Sequence, residues 1–69
     1  MTKKDKILSK REFDILKYLA QGYSSRKIGE ELEIAEVTVQ THRRNMLRKL
    51  KLNNSNEMVS WGYRERLLG

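Results

Sequence analysis

The chain has no cysteine and no proline, and among its 69 residues it holds one histidine, one tryptophan and one phenylalanine. Without cysteine there are no disulfides, thiolate metal sites or cysteine nucleophiles, and an intracellular setting is the natural one. His42 has no Cys to join it, so a metal site is not expected; its place among apolar positions predicts a structural hydrogen bond instead. Without proline no helix is forced to break. No apolar run approaches the ~20 residues of a membrane span, and none follows the basic start Met1 to Lys6 as a secretory signal requires. A cytoplasmic protein without membrane contact is the expectation.

Size excludes more. A chain of 69 residues makes one domain and buries only about 60% of its unfolded surface, so a core and a roomy cleft do not both fit. No catalytic constellation emerges either. Glu12 and Asp14 stand on a surface helix without a histidine, the serines fall at caps and turns, and Gly22, Gly29 and Gly62 form no phosphate-cradling pattern. The expectation is a non-enzyme with no cofactor and no small-molecule ligand in this domain.

What is plentiful is positive charge. Fifteen Lys and Arg against nine Asp and Glu give +6 and a pI near 9.9. The charge is uneven. Lys3, Lys4 and Lys6 against Asp5 give the first six residues +2. Residues 24–33 carry −1, whereas Arg43, Arg44, Arg48, Lys49 and Lys51 against Glu36 give residues 36–51 +4. Polyanion binding is the simplest use of that asymmetry.

Residues 1–7 read as a flexible basic lead or linker, and residues 8–69 as one all-α domain of four helices without a sheet. Ser9 and Glu12 make a capping box, with Leu8 and Phe13 at staple positions around it. Ile15, Leu16 and Leu19 supply the buried face, and Gly22 suits the left-handed residue that ends the helix. Ser24 or Ser25 caps a second helix over Ser25 to Glu33, with Ile28, Gly29 and Leu32 inward. Ile34 and Ala35 turn into a third helix over about 35–51, where Val39, Met46 and Leu50 recur near a 3.6-residue period. Asn54 with Glu57 caps a fourth over about 54–67, with Trp61 in the core.

Residues 24–44 thus form a helix, a tight turn and a helix whose outer side carries Gln40, Thr41, Arg44, Arg48 and Lys51. One helix that props and a second that offers amide, hydroxyl and guanidinium groups is the layout of a helix-turn-helix. Gln40, Thr41 and Arg44 lie in the N-terminal half of the recognition helix and are the candidates for base edges, with Arg43 at the edge of their face. Thr38, Arg48, Lys49 and Lys51 suit phosphates. So do Ser25, Arg26 and Lys27, where the start of the second helix adds backbone N–H donors.

From Leu8 to Leu68 the sequence resembles the LuxR-type helix-turn-helix, also called the GerE or NarL/FixJ effector domain. The anchors are L-S-K-R-E at 8–12, L-A-Q-G at 19–22, S-S-R-K-I-G at 24–29, L-x-I-A-x-x-T-V-x-T-H at 32–42 and N-M-L-R-K-L-K-L at 45–52. The resemblance implies a bacterial, nucleoid-associated transcription regulator that binds double-stranded DNA with its third helix in the major groove. It also implies a homodimer seamed by the fourth helix, for which Met58, Val59 and Tyr63 are the candidates. The domain is either free-standing or the effector of a response regulator, with an upstream receiver domain and RNA polymerase as further partners.

Three positions depart from the family's usual pattern. Gln40 stands where Lys or Arg is common, which favours adenine over guanine. Ala35 replaces a capping Ser or Thr, forfeiting about 1 kcal/mol. Ser55 stands where Arg is frequent, so a contact there is not carried over. The off-pattern Gln40 and Ala35 also give footing to an alternative, a protein-interaction module that binds another regulator or a polymerase subunit.

Overall fold

The computed structural model describes residues 7–68. Four helices follow one another with short connections: α1 (Lys10–Ala20), α2 (Ser25–Leu32), α3 (Glu36–Leu50) and α4 (Ser55–Arg64). No strand occurs among the described residues. The basic lead lies outside them apart from Ile7, which belongs with the folded domain because it packs against the core.

Local chemistry explains each boundary. Ser9 Oγ accepts the Glu12 N–H while Glu12 Oε1 accepts the Ser9 N–H, the reciprocal box expected for α1. At its other end Gly22 adopts φ 89°, and the N–H groups of Tyr23 and Gly22 close onto the carbonyls of Tyr18 and Leu19. Ser24 caps α2, accepting the Lys27 N–H at 3.1 Å; Ser25 is the first helical residue. Asn54 caps α4 by accepting the Glu57 N–H, and Glu57 reaches one residue further back, to the N–H of Asn53. This last helix stops at Arg64, short of the expected Leu67. Arg66 turns left-handed at φ 60°, and Leu67 and Leu68 bond back to the Gly62 carbonyl, which lets Leu68 close over the core.

The core is one layer of eight side chains, Leu8, Ile15, Leu16, Ile28, Val39, Met46, Met58 and Leu68, drawn from all four helices and both flanks. Trp61, half-buried, packs against it. The α2 helix packs chiefly on α3, and α1 lies across both α3 and α4. Met58 is fully buried in this layer, which removes it from the expected dimer seam. It occupies an inward position of α4 one turn from buried Gly62, so its thioether fills core space rather than facing a partner.

The turn that aims α3 depends on Gly29. Glu33 ends α2 left-handed at φ 60°, and the Ile34 N–H bonds back to the Gly29 carbonyl. A Cβ at position 29 would stand 2.7 Å from the Ile34 carbonyl oxygen and 3.4 Å from the Glu36 nitrogen, both backbone atoms. Helix propensity alone favours alanine there by about 1 kcal/mol. The clash outweighs it, since overpacking of this kind costs about 1–3 kcal/mol. We expect Gly29→Ala to lower the thermal midpoint by about 5 °C or more in circular dichroism; a rise instead would mean that the turn shifts freely.

One ion pair ties α1 to α3. Lys49 Nζ donates to Glu12 Oε1 at 2.7 Å, across 37 residues of sequence, and the Glu12 side chain is only 8% exposed. Burial raises the Glu12 pKa, but the Lys49 hydrogen bond, the Ser9 N–H and the charges of Lys49 and His42 outweigh it and hold it below its ordinary value. The folded state thus binds a proton at Glu12 less readily than the unfolded chain does. The contribution is complete above the ordinary carboxylate range and disappears as pH falls through the folded-state value. Glu12→Gln should therefore lower the melting temperature at neutral pH, with the two curves converging in acid; a constant gap at every pH would remove Glu12 from the acid transition.

Candidate nucleic-acid interface

The exposed side of α3 presents Thr38, Gln40, Thr41, Arg44, Arg48 and Lys51 together. Its opposite side holds Val39 and Met46 in the core, so packing on α1, α2 and α4 fixes which side faces solvent. The helix starts without a side-chain cap, because Ala35 holds an extended cap conformation but has no oxygen to offer. It ends at Lys51, left-handed at φ 58°, whose own N–H and that of Leu52 close the last turn.

Within the exposed side the polar groups are posed by their own helix. Gln40 Nε2 donates to Glu36 Oε2 at 3.3 Å, and Thr41 Oγ1 donates to the Val37 carbonyl at 3.0 Å. Among the described residues Arg44, Arg48 and Lys51 form no ion pair, so these three cations are available to an anion. Arg26 and Lys27, exposed at the start of α2, pair weakly within it, with Glu30 at 3.8 Å and Glu31 at 3.5 Å. Lys27 also lies over the Tyr23 ring at 6.0 Å. Solvent-exposed pairs of this kind contribute about 0.3–0.5 kcal/mol, so a phosphate displaces the carboxylates at little cost.

Three expected contacts are committed elsewhere. The Arg43 guanidinium donates to Ser25 Oγ and to Ser55 Oγ, so it joins the first residues of α2 and α4 to the middle of α3. Ser25 is buried and accepts that bond, and is therefore not presented to a phosphate. Lys49 turns its ammonium to Glu12. The signal was in the spacing: Val39, Arg43, Met46 and Leu50 follow one inward helical stripe, and Ser25 shares the inward stripe of Ile28, Gly29 and Leu32. Ser55 takes part in the same clamp, an internal role for a position where the sequence comparison predicted no contact. A shallow groove lined by Ser25, Gln40, Arg43, Arg44, Leu47 and Ser55 runs beside it.

The expected hydrogen bond of His42 to a neighbouring helix is not among the bonds formed. His42 is half-buried and acts at a distance, through its charge on Glu12. Two large apolar side chains stay exposed, Val37 at 63% in the first turn of α3 and Tyr63 at 52% on α4; Val59 beside it is half-buried. Val37 escaped a periodicity reading because one apolar residue on a polar face breaks no pattern.

Comparison with known proteins agrees with this geometry. Residues 6–61 match the bacterial regulatory proteins of the luxR family. The chain is 38% identical over 63 residues to the oxygen regulatory protein NreC of Staphylococcus carnosus (strain TM300) and 40% identical to that of Staphylococcus aureus (strain JH9). Each match covers 91% of this chain but only 29% of the relative, so the chain spans under a third of their length. The solved structure of the transcription factor GerE superposes with a TM-score of 0.87 at 30% identity, covering 91% of this chain and 94% of that one. With that match over most of its length and the same four-helix architecture, the chain belongs to the luxR family of bacterial regulatory proteins, as a DNA-binding, transcription-regulating helix-turn-helix domain.

Proposed function

We propose that this domain binds double-stranded DNA sequence-specifically as a homodimer, with α3 in the major groove. Gln40, Thr41 and Arg44 read base edges, while Thr38, Arg48, Lys51, Arg26 and Lys27 hold phosphates. The observation that carries the reading is the exposed side of α3, where an amide and a hydroxyl posed in its first half adjoin three cations that no carboxylate neutralises. A helix of 15 residues, packed on one side by three others, offers that side as a rigid probe of groove width. Val59 and Tyr63 of α4 form the dimer seam. The likeness to NreC favours a place as the effector module of a response regulator, downstream of a receiver domain and acting on RNA polymerase.

The test is selection of bound sites from a random duplex pool at moderate salt. An enriched pair of half-sites, whose spacing gives the separation of the two copies, is the expected result. Weak binding without enrichment, lost steeply as salt rises, would reduce the basic face to a generic polyanion surface.

A further inference from the structure

Val37 is out of place for a residue that serves only the fold. It is 63% exposed, so it adds nothing to the core, and a β-branched side chain lowers helix propensity where it stands. It lies in the first turn of α3, the part of a recognition helix that meets base edges. Its neighbours one and two turns on are Gln40, Thr41 and Arg44, all exposed on the same side. The Thr41 hydroxyl donates to the Val37 carbonyl, which directs that hydroxyl along the helix backbone and stacks the two β-branched side chains one turn apart. The χ1 of valine is restricted in a helix, so its methyls are held outward at little entropic cost.

An apolar knob at that place has one complementary feature in the major groove, the C5-methyl of thymine, the only apolar group a base edge presents there. We infer that Val37 is a specificity-determining residue of this domain, seating against a thymine methyl in each half-site. The inference rests on the DNA-reading role proposed above. It adds a preference that hydrogen-bonding residues do not supply. The amide of Gln40, held by Glu36 beside Val37, selects adenine, so the first turn of α3 as a whole favours an A·T-containing step.

The test uses the duplex enriched from the random pool, with each thymine replaced in turn by deoxyuridine, which removes the methyl and keeps the base pair. For the unaltered chain, one substitution per half-site should weaken binding about fourfold, the size expected for burying one methyl. Val37→Ala should bind the thymine duplex about fourfold more weakly and be indifferent to deoxyuridine at that position. Its fold should be intact by circular dichroism, since alanine is the better helix former. Indifference of the unaltered chain to every deoxyuridine overturns the inference while leaving sequence-specific binding in place. So does a Val37→Ala variant that still discriminates, which would assign the methyl contact to Thr41. A pool that yields no enriched site overturns the DNA-reading role itself, and this inference with it.

Discussion

Arg44→Ala is expected to weaken binding to the selected site by about 1–3 kcal/mol and to relax the preference for one base pair, with a much smaller loss on random duplex. The expectation rests on where the guanidinium stands. Arg44 is exposed, two helical turns beyond Val37 on the reading side of α3, and among the described residues it has no carboxylate partner. Its planar fork can donate to guanine O6 and N7 together, and each such bidentate pair discriminates against the wrong base. Arg48, one turn further on, is the contrasting case. Arg48→Ala should lower affinity equally on specific and random DNA and reduce the log–log salt slope by about 0.9, the signature of one phosphate contact. Titrations of both variants at several salt concentrations separate the two roles. An equal loss from Arg44→Ala on both duplexes would move Arg44 to the backbone.

Arg43 illustrates why neighbouring cations on one helix do not share a role, and why the sequence conveys only part of the interface. Charge counting treats Arg43, Arg44, Arg48, Lys49 and Lys51 alike, because a basic residue on a predicted recognition helix reads as a DNA contact. Two of the five are used within the domain. Arg43 spans from α3 to the starts of α2 and α4, and Lys49 neutralises the buried carboxylate of Glu12. Both contacts join residues far apart in sequence, Arg43 to Ser25 across 18 positions and Lys49 to Glu12 across 37. Local pattern carries no record of them. Features governed by neighbours within four residues were legible: the Ser9 box, the Gly22 terminus, the uncapped start at Ala35 and the inward stripe of Ile28, Val39 and Met46. Gly29 lies between the two cases. Its inward position was readable, but the reason alanine fails there is a backbone carbonyl brought close only by the turn that follows.

Met58→Ala is expected to cost about 2–5 kcal/mol of folding stability, the range for truncating a fully buried methionine. A domain of this size holds about 3–10 kcal/mol in all, so the variant should melt at least 10 °C lower and in the worst case be unfolded at 37 °C. The physical reason is that Met58 is completely enclosed among Ile15, Leu16, Met46 and the other members of a single-layer core, and no second layer exists to collapse into the void. Tyr63→Ala supplies the contrast on the same helix. Tyr63 is 52% exposed, so its removal should leave monomer melting nearly unchanged while weakening self-association, if α4 forms the seam. Sedimentation and thermal unfolding of the two variants distinguish the roles: Met58→Ala should lose stability at every concentration, and Tyr63→Ala should shift only the monomer–dimer balance. A stable Met58→Ala variant that fails to dimerise would return Met58 to the seam and require that α4 rotate away from the core to expose it.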